Sequence, residues 1–300
     1  MIYDISHVTR YSYETRVASS TLTLRVTPRD DGGQRCLDHS VLISPEPRSV
    51  VVERDFFGNT VSIALIETSL IDLSIEARAR VDVERPAGPP AGSGPDIKNL
   101  VEQVDRVDSV AGDSPAHFIF ASPRISLRRD IADYAAPSFA AGRPVLDGAR
   151  ELAARIRKDF TYQPNSTAVF TPLEQAFTQR RGVCQDFAHI MISGLRSLGI
   201  PASYASGYIR TIPPPGKPRL AGADATHAWV SVWCGAELGW VGIDPTNAID
   251  AGNDHIMLAI GRDFSDVSPI YGVFLGSGAQ ELDVGVDVVP VTAAAPSVAP

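Results

Sequence analysis

Cys184, His227 and Asp244 supply a thiol, an imidazole and a carboxylate, the set that nucleophilic acyl transfer requires. In that chemistry the imidazole takes the thiol proton and later gives it to a leaving group. The carboxylate fixes the imidazole tautomer and supports its charged form. Each residue alone has an ordinary explanation. A free cysteine is most often a small buried hydrophobe, a histidine close to Trp229 can fill a core, and an aspartate before Pro245 can form a turn. Together, in this order and on suitable elements, the three carry more weight than any one of them.

The stretch "RRGVCQDFAHIMISGLRSLGIP" (180–201) predicts a helix opened by Cys184. Ala188, Met191, Ile192, Leu195 and Leu198 share one apolar face, and Gly199 with Pro201 supplies the stop. Cys184 then sits in the first turn, where the helix dipole and outward N–H groups favour a thiolate and a developing oxyanion. Gly182 lets the backbone come close at that turn. Downstream, "ADATHAWVSVWCGAELGWVGIDPTN" (223–247) predicts two apolar strands around a turn. A turn on Gly235-Ala236 sets Cys234 opposite Glu237, and therefore His227 opposite Asp244. A longer loop through Gly239 shifts this register, and an even shift keeps both side chains on one sheet face.

Residues 1–83 read as short alternating, β-branched strands, with a hairpin turn expected at Gly58-Asn59 in "DFFGNTV". "RPAGPPAGSGPD" (85–96) is too rich in Pro and Gly for helix or strand. Helical spacing returns in "IKNLVEQVD", "RRDIADYAAPSFAA" and "GRPVLDGARELAARIRKDFTYQP". The tail "PVTAAAPSVAP" has little to pack and is expected to be disordered.

With 300 residues, of which 44% are hydrophobic, the chain can bury a full core. A net charge of -8 and the lack of a basic stripe argue against a nucleic-acid partner. Three cysteines, Cys36, Cys184 and Cys234, do not form the pattern of a secreted disulfide scaffold. The N-terminus lacks the features of a signal peptide and no apolar run approaches a bilayer span, so the expected location is cytoplasmic, with no membrane partner. Zinc on Cys184, His227, Cys234 and Asp244 lacks the usual ligand spacing. No metal and no cofactor are expected.

"GVCQDFAHIMISGLRSLGIPASYASGYI", "DATHAWVSVW" and "GWVGIDPTN" together resemble the core of bacterial transglutaminase-like proteins, relatives of papain-type cysteine peptidases. The first 83 residues resemble the β-rich N-terminal domain that accompanies this core, and "HIMLAIGRDFSDVSPIYGVFLG" (255–276) resembles its usual ending. The resemblance implies that Cys184 is the nucleophile, His227 the base and then acid, and Asp244 the orienter. It also implies a peptide or protein substrate. Gln185 stands where animal transglutaminases carry Trp, which leaves the second oxyanion donor unassigned, with Tyr162, Gln179, Gln185, Asp186 and Trp229 as the candidate oxyanion or supporting residues.

The expected fold is α+β. An N-terminal antiparallel β-sandwich or barrel-like domain (1–84) and a linker with connecting helices (85–147) precede a papain-like transglutaminase core (148–283). A C-terminal strand and tail follow (284–300). The expected reaction is cysteine-dependent acyl transfer through a thioester, with water or an amine as acceptor. A catalytically silent binding or scaffold module is the alternative, and a homo-oligomer stays open.

Overall fold

The structure is a computed structural model that describes residues 1–164, 171–211 and 225–291. The N-terminal region forms β1 (Ile2–Val17), β2 (Ser19–Leu24), β3 (Gln34–Ser44), β4 (Ser49–Arg54), β5 (Thr60–Ile66) and β6 (Leu70–Val83). Next come α1 (Ile97–Val104), α2 (Arg129–Ala135), α3 (Val145–Asp159), β7 (Thr161–Tyr162), α4 (Leu173–Gln179), β8 (Arg181–Gly182) and α5 (Cys184–Ser197). The chain continues through β9 (Ala202–Ile209), β10 (Ala225–Trp233), β11 (Trp240–Asp244), β12 (Ile249–Asp250) and β13 (His255–Gly261), and ends with α6 (Phe264–Val267), β14 (Ile270–Leu275) and β15 (Gln280–Pro290). Among the described residues no helix is long and apolar enough to cross a membrane.

The fold is α+β, as expected. Its antiparallel sheets have the orders β15-β1-β6-β3, β14-β2-β5-β4 and β12-β11-β10-β9-β13. The first sheet serves two cores because β1 and β6 are long. Along one part, Tyr13, Leu73, Ile75 and Ala77 pack against Leu22, Leu24, Ala64 and Ile66 of the second sheet. Along the other, Tyr3, Ile5, Val81 and Val83, with Val286 and Val288 of β15, cover Tyr208, Ile256 and Leu258 of the third sheet. Two amides reinforce this joint. Gln34 donates to the Met257 carbonyl and accepts from the Met257 N–H, both at 2.8 Å, and Asn59 does the same at Ile260, also at 2.8 Å. They occupy the open edge of β13, which would otherwise invite another strand.

The helix expected from Cys184 is present, but it is buried on every face from Asp186 to Arg196, beyond the single apolar face that the spacing indicates. It lies between β9 and β10 on one side and α2, α3 and α4 on the other, so its small and polar residues are enclosed as well. Arg196, near its C-terminal end, is 2% exposed and donates to the carbonyls of Ala202, Phe120 and Arg262. Burial lowers its pKa to about 10, which leaves it charged at neutrality.

Four sequence expectations differ from the structure. Residues 85–147 are more than a connection, since Leu100, Val104, Ile125, Ile131 and Phe139 are buried in the same core as α5. Ile270–Leu275 and Gln280–Pro290 leave the transglutaminase core and pair with β2 and β1. Such non-local pairing carries no signal in the local strand pattern. The β4–β5 turn spans Asp55 to Asn59, because Asp55 accepts from the N–H groups of Phe57 and Asn59 while Gly58 takes φ +78°. The β10–β11 register places Trp233 opposite Trp240, an even slip from the expected pairing. The loop between them runs from Cys234 to Gly239 and closes through the Cys234 N–H to the Gly239 carbonyl at 2.8 Å. The tail from residue 292 lies outside the described residues.

Candidate active site

The even slip keeps His227 and Asp244 together. His227 Nε2 lies 2.8 Å from Asp244 Oδ2, and both residues are buried. The other ring nitrogen, Nδ1, is left to face Cys184, whose side chain hydrogen-bonds His227. Burial lowers the His227 pKa, but the hydrogen bonds and charges of Asp244 and Cys184 outweigh it and raise the value to about 10. Burial likewise opposes the Asp244 carboxylate, yet its bonds to His227 and His255 hold the acid well below the usual carboxylate range. The arrangement favours imidazolium over imidazole at neutral pH, beside the sulfur that would carry the negative charge.

Asp244 is the most heavily bonded group in the site. Its Oδ2 accepts from His227, from His255 Nε2 at 3.2 Å and from Asn247 Nδ2 at 2.7 Å. Its Oδ1 accepts the N–H groups of Thr246 and Asn247. His255 Nδ1 accepts the Gly252 N–H, so its proton resides on Nε2 and points at Asp244. His255 and Asn247 escape the sequence reading because one opens an apolar strand and the other closes a turn. The ligand atoms of His227, Asp244 and His255 lie within 4.8 Å of one another. A cation there would have to displace the hydrogen bonds that orient His227. Cys234 is buried near Arg150, at the opposite end of β10 from His227.

Cys184 is the first residue of α5 and is half-buried. Asp186 folds back to accept the Val183 N–H at 2.8 Å, which fixes the entry of the helix. A Cβ on Gly182 would lie 2.5 Å from that carboxylate, which explains why glycine precedes the turn. We expect Gly182→Ala to dislodge Asp186 and cost about 1–2 kcal/mol. A urea unfolding series would show the loss, and Cys184 labelling would slow with it.

Gln185 and Cys184 open together into a cleft of about 740 Å³ that also holds His227 and Tyr204. Tyr162 sits on β7, half-exposed, with its ring edge-on to Phe187; burial raises its phenol and the nearby Cys184 charge adds to this. Gln179 is exposed at the end of α4 and accepts from Arg181. It does not line the cleft, because the left-handed turn at Arg180 carries the chain onward after it. Trp229 lies stacked beside His227 at 6.2 Å and edge-on to His255 at 5.3 Å, so its indole packs against both imidazoles. His189, buried to a pKa of about 4, accepts the Phe264 N–H and takes a local structural role.

The bacterial transglutaminase-like N-terminal region matches residues 3–82, and the transglutaminase-like superfamily core matches residues 132–245. A protein of Mycobacterium tuberculosis is 38% identical over 292 residues, covering 96% of this chain and 92% of its own. A protein-glutamine gamma-glutamyltransferase of Pseudomonas aeruginosa is 35% identical over 103 residues, 32% of this chain and 15% of that protein. Among solved structures, a putative cysteine protease from Cytophaga hutchinsonii is similar in fold, with a TM-score of 0.73 and 22% identity over 98% of this chain and 92% of its own. A cysteine at a helix N-terminus, backed by a histidine and an aspartate on neighbouring strands, therefore stands within matching folds on both sides, and the chain belongs to the transglutaminase-like superfamily, in the form that carries the bacterial transglutaminase-like N-terminal region.

Proposed function

We propose that the protein is a cysteine-dependent acyl-transfer enzyme acting on a peptide or carboxamide carbonyl. The observation that carries this reading is the buried His227–Asp244 pair, bonded to a half-buried Cys184 at the mouth of an open cleft. The Cys184 sulfur attacks the carbonyl carbon, and a C–S bond forms as the carbonyl oxygen takes the electron pair. The Cys184 N–H, in the first helix turn, faces that oxygen, and Gln185 is the better placed of the candidate side-chain donors because it shares the cleft. As the carbonyl reforms, the C–N bond breaks and the His227 proton goes to the departing amine. A thioester remains on Cys184. Water or an amine then attacks it, giving its proton to His227, and the thiolate leaves.

The substrate class proposed is a peptide or protein, with an amine as the second substrate where the reaction is amine transfer. Three free thiols fit a reducing, cytoplasmic setting. Iodoacetamide labelling of Cys184, read by mass spectrometry, tests the ion pair. In the wild type we expect rapid labelling whose rate changes little from about pH 8 to pH 6, whereas His227→Ala labels slowly and loses rate toward acid. Ordinary thiol behaviour in both proteins would favour the scaffold reading. With the ion pair established, ammonia release from a glutamine peptide with and without a fluorescent amine separates hydrolysis from amine transfer.

A further inference from the structure

The cleft wall that faces Cys184 comes from outside the transglutaminase-like core. It is made by β1 and β2 of the N-terminal region and by β14 and β15, the strands that return to it. Tyr11 stands opposite Leu282, and Thr9 opposite Val284, so the inward positions of two neighbouring strands present one continuous face. Tyr11 and Tyr13 stack at 6.3 Å, and Tyr13 leans on Phe274 at 5.3 Å. Yet Leu282 is 56% exposed, Val284 46% and Tyr271 59%. These apolar side chains face water inside a concave space that also contains the nucleophile, the setting in which apolar surface commonly marks a binding site.

The charge of the wall narrows the ligand further. Among the described residues no aspartate or glutamate lines the cleft, and Arg124 is its one lysine or arginine. His7, which also lines it, has both ring nitrogens engaged, by Tyr208 and Thr9, and burial holds its pKa near about 4. Among the described residues a cationic side chain of the substrate would find no carboxylate here, and an acidic one would have Arg124 as its one lysine or arginine while losing hydration against tyrosine, leucine and valine.

We propose that Tyr11, Tyr13, Tyr271, Phe274, Leu282 and Val284 form the acyl-donor subsite, which selects peptides with a large apolar or aromatic side chain next to the reactive carbonyl. The proposal rests on Cys184 being the acyl-transfer nucleophile. It gives the N-terminal region and the returning strands the task of choosing the substrate, while the core supplies the chemistry.

Affinity labelling separates the two claims. Acetyl-phenylalanine chloromethyl ketone and acetyl-aspartate chloromethyl ketone, which carry the side chain on the acyl side of the carbonyl, are compared on Cys184, each rate divided by the iodoacetamide rate of the same protein. In the wild type the phenylalanine reagent labels about tenfold faster or more, the scale of discrimination that an apolar pocket gives. Leu282→Asp and Tyr271→Ser, both at exposed positions that the core does not need, bring the ratio near one. Val51→Asp, on the outer strand β4, retains it. Equal rates in the wild type, or a preference that survives Leu282→Asp, would overturn the subsite. An iodoacetamide rate unaffected by His227→Ala would instead overturn the proposed chemistry.

Discussion

Asp244→Asn is expected to lower the proposed acyl-transfer activity by about 10²- to 10⁴-fold, the scale seen when the orienting carboxylate of a catalytic triad is neutralised. The side chain keeps its size but loses one of two acceptor oxygens. In the wild type Oδ2 serves His227, His255 and Asn247, while Oδ1 serves two backbone N–H groups. An amide oxygen can face only one of these sets, so the amide NH₂ meets donors on the other side. If it turns toward His227, the proton on Nε2 has no acceptor and the tautomer presented to Cys184 changes.

The same substitution costs about 2–4 kcal/mol of stability through the donors left unpaired. This loss depends on pH in a defined direction. The Asp244 acid is held far below its usual range, so the stabilisation is present above about pH 4 and fades as pH falls toward the lowered value. The His227 value is raised to about 10. Its contribution is therefore complete below about pH 6.5, the unperturbed histidine value, and fades as pH rises through the raised one. Thermal melts of the two proteins should differ most between those limits and converge toward either extreme.

Arg196→Leu should be the largest pure stability change, about 3–5 kcal/mol, since it removes a buried charge from a site built around it. Three carbonyls, those of Ala202, Phe120 and Arg262, lose their donors, and Asp263 loses a nearby positive charge. Lysine does not rescue it, because a single ammonium cannot span carbonyls arranged around a planar fork. Cys184 lies at the other end of α5. Below the transition temperature its labelling rate should therefore remain near the wild-type value, while the urea midpoint falls. A proportional loss of both would mean that the two ends of the helix are coupled.

Those residues also mark what a sequence can reveal. The alternation of Tyr3, Ile5, His7 and Thr9 announces β1, and helical spacing after Cys184 announces α5, because each pattern reports a local period. The meeting of His227 and Asp244 follows from a hairpin, and an error of an even number of residues in its register does not separate them. His255 and Asn247 have no comparable signal, since neither lies in a pattern that distinguishes it from ordinary packing or turn formation. Gln179 is close to Cys184 in the chain, but the left-handed backbone at Arg180 lies between them. The pairing of β14 with β2 and of β15 with β1 joins distant parts of the chain, and alternation within a strand does not say which neighbour it will find.

That last pairing governs when the surface proposed to choose the substrate can be completed during synthesis. Tyr3 ends up opposite Pro290, so a chain emerging from the ribosome carries β1 unpaired on one side until residues 280–290 have been added. Helices and hairpins of the core can form earlier from contacts nearer in sequence, whereas this closure must wait. Cys184 and His227 can thus meet while β1 and β2 stand alone and the half of the wall made by β14 and β15 is still missing. A chain lacking β14 and β15 would hold Cys184 beside only half of the surface proposed to choose its substrate, and adding β15 would complete it.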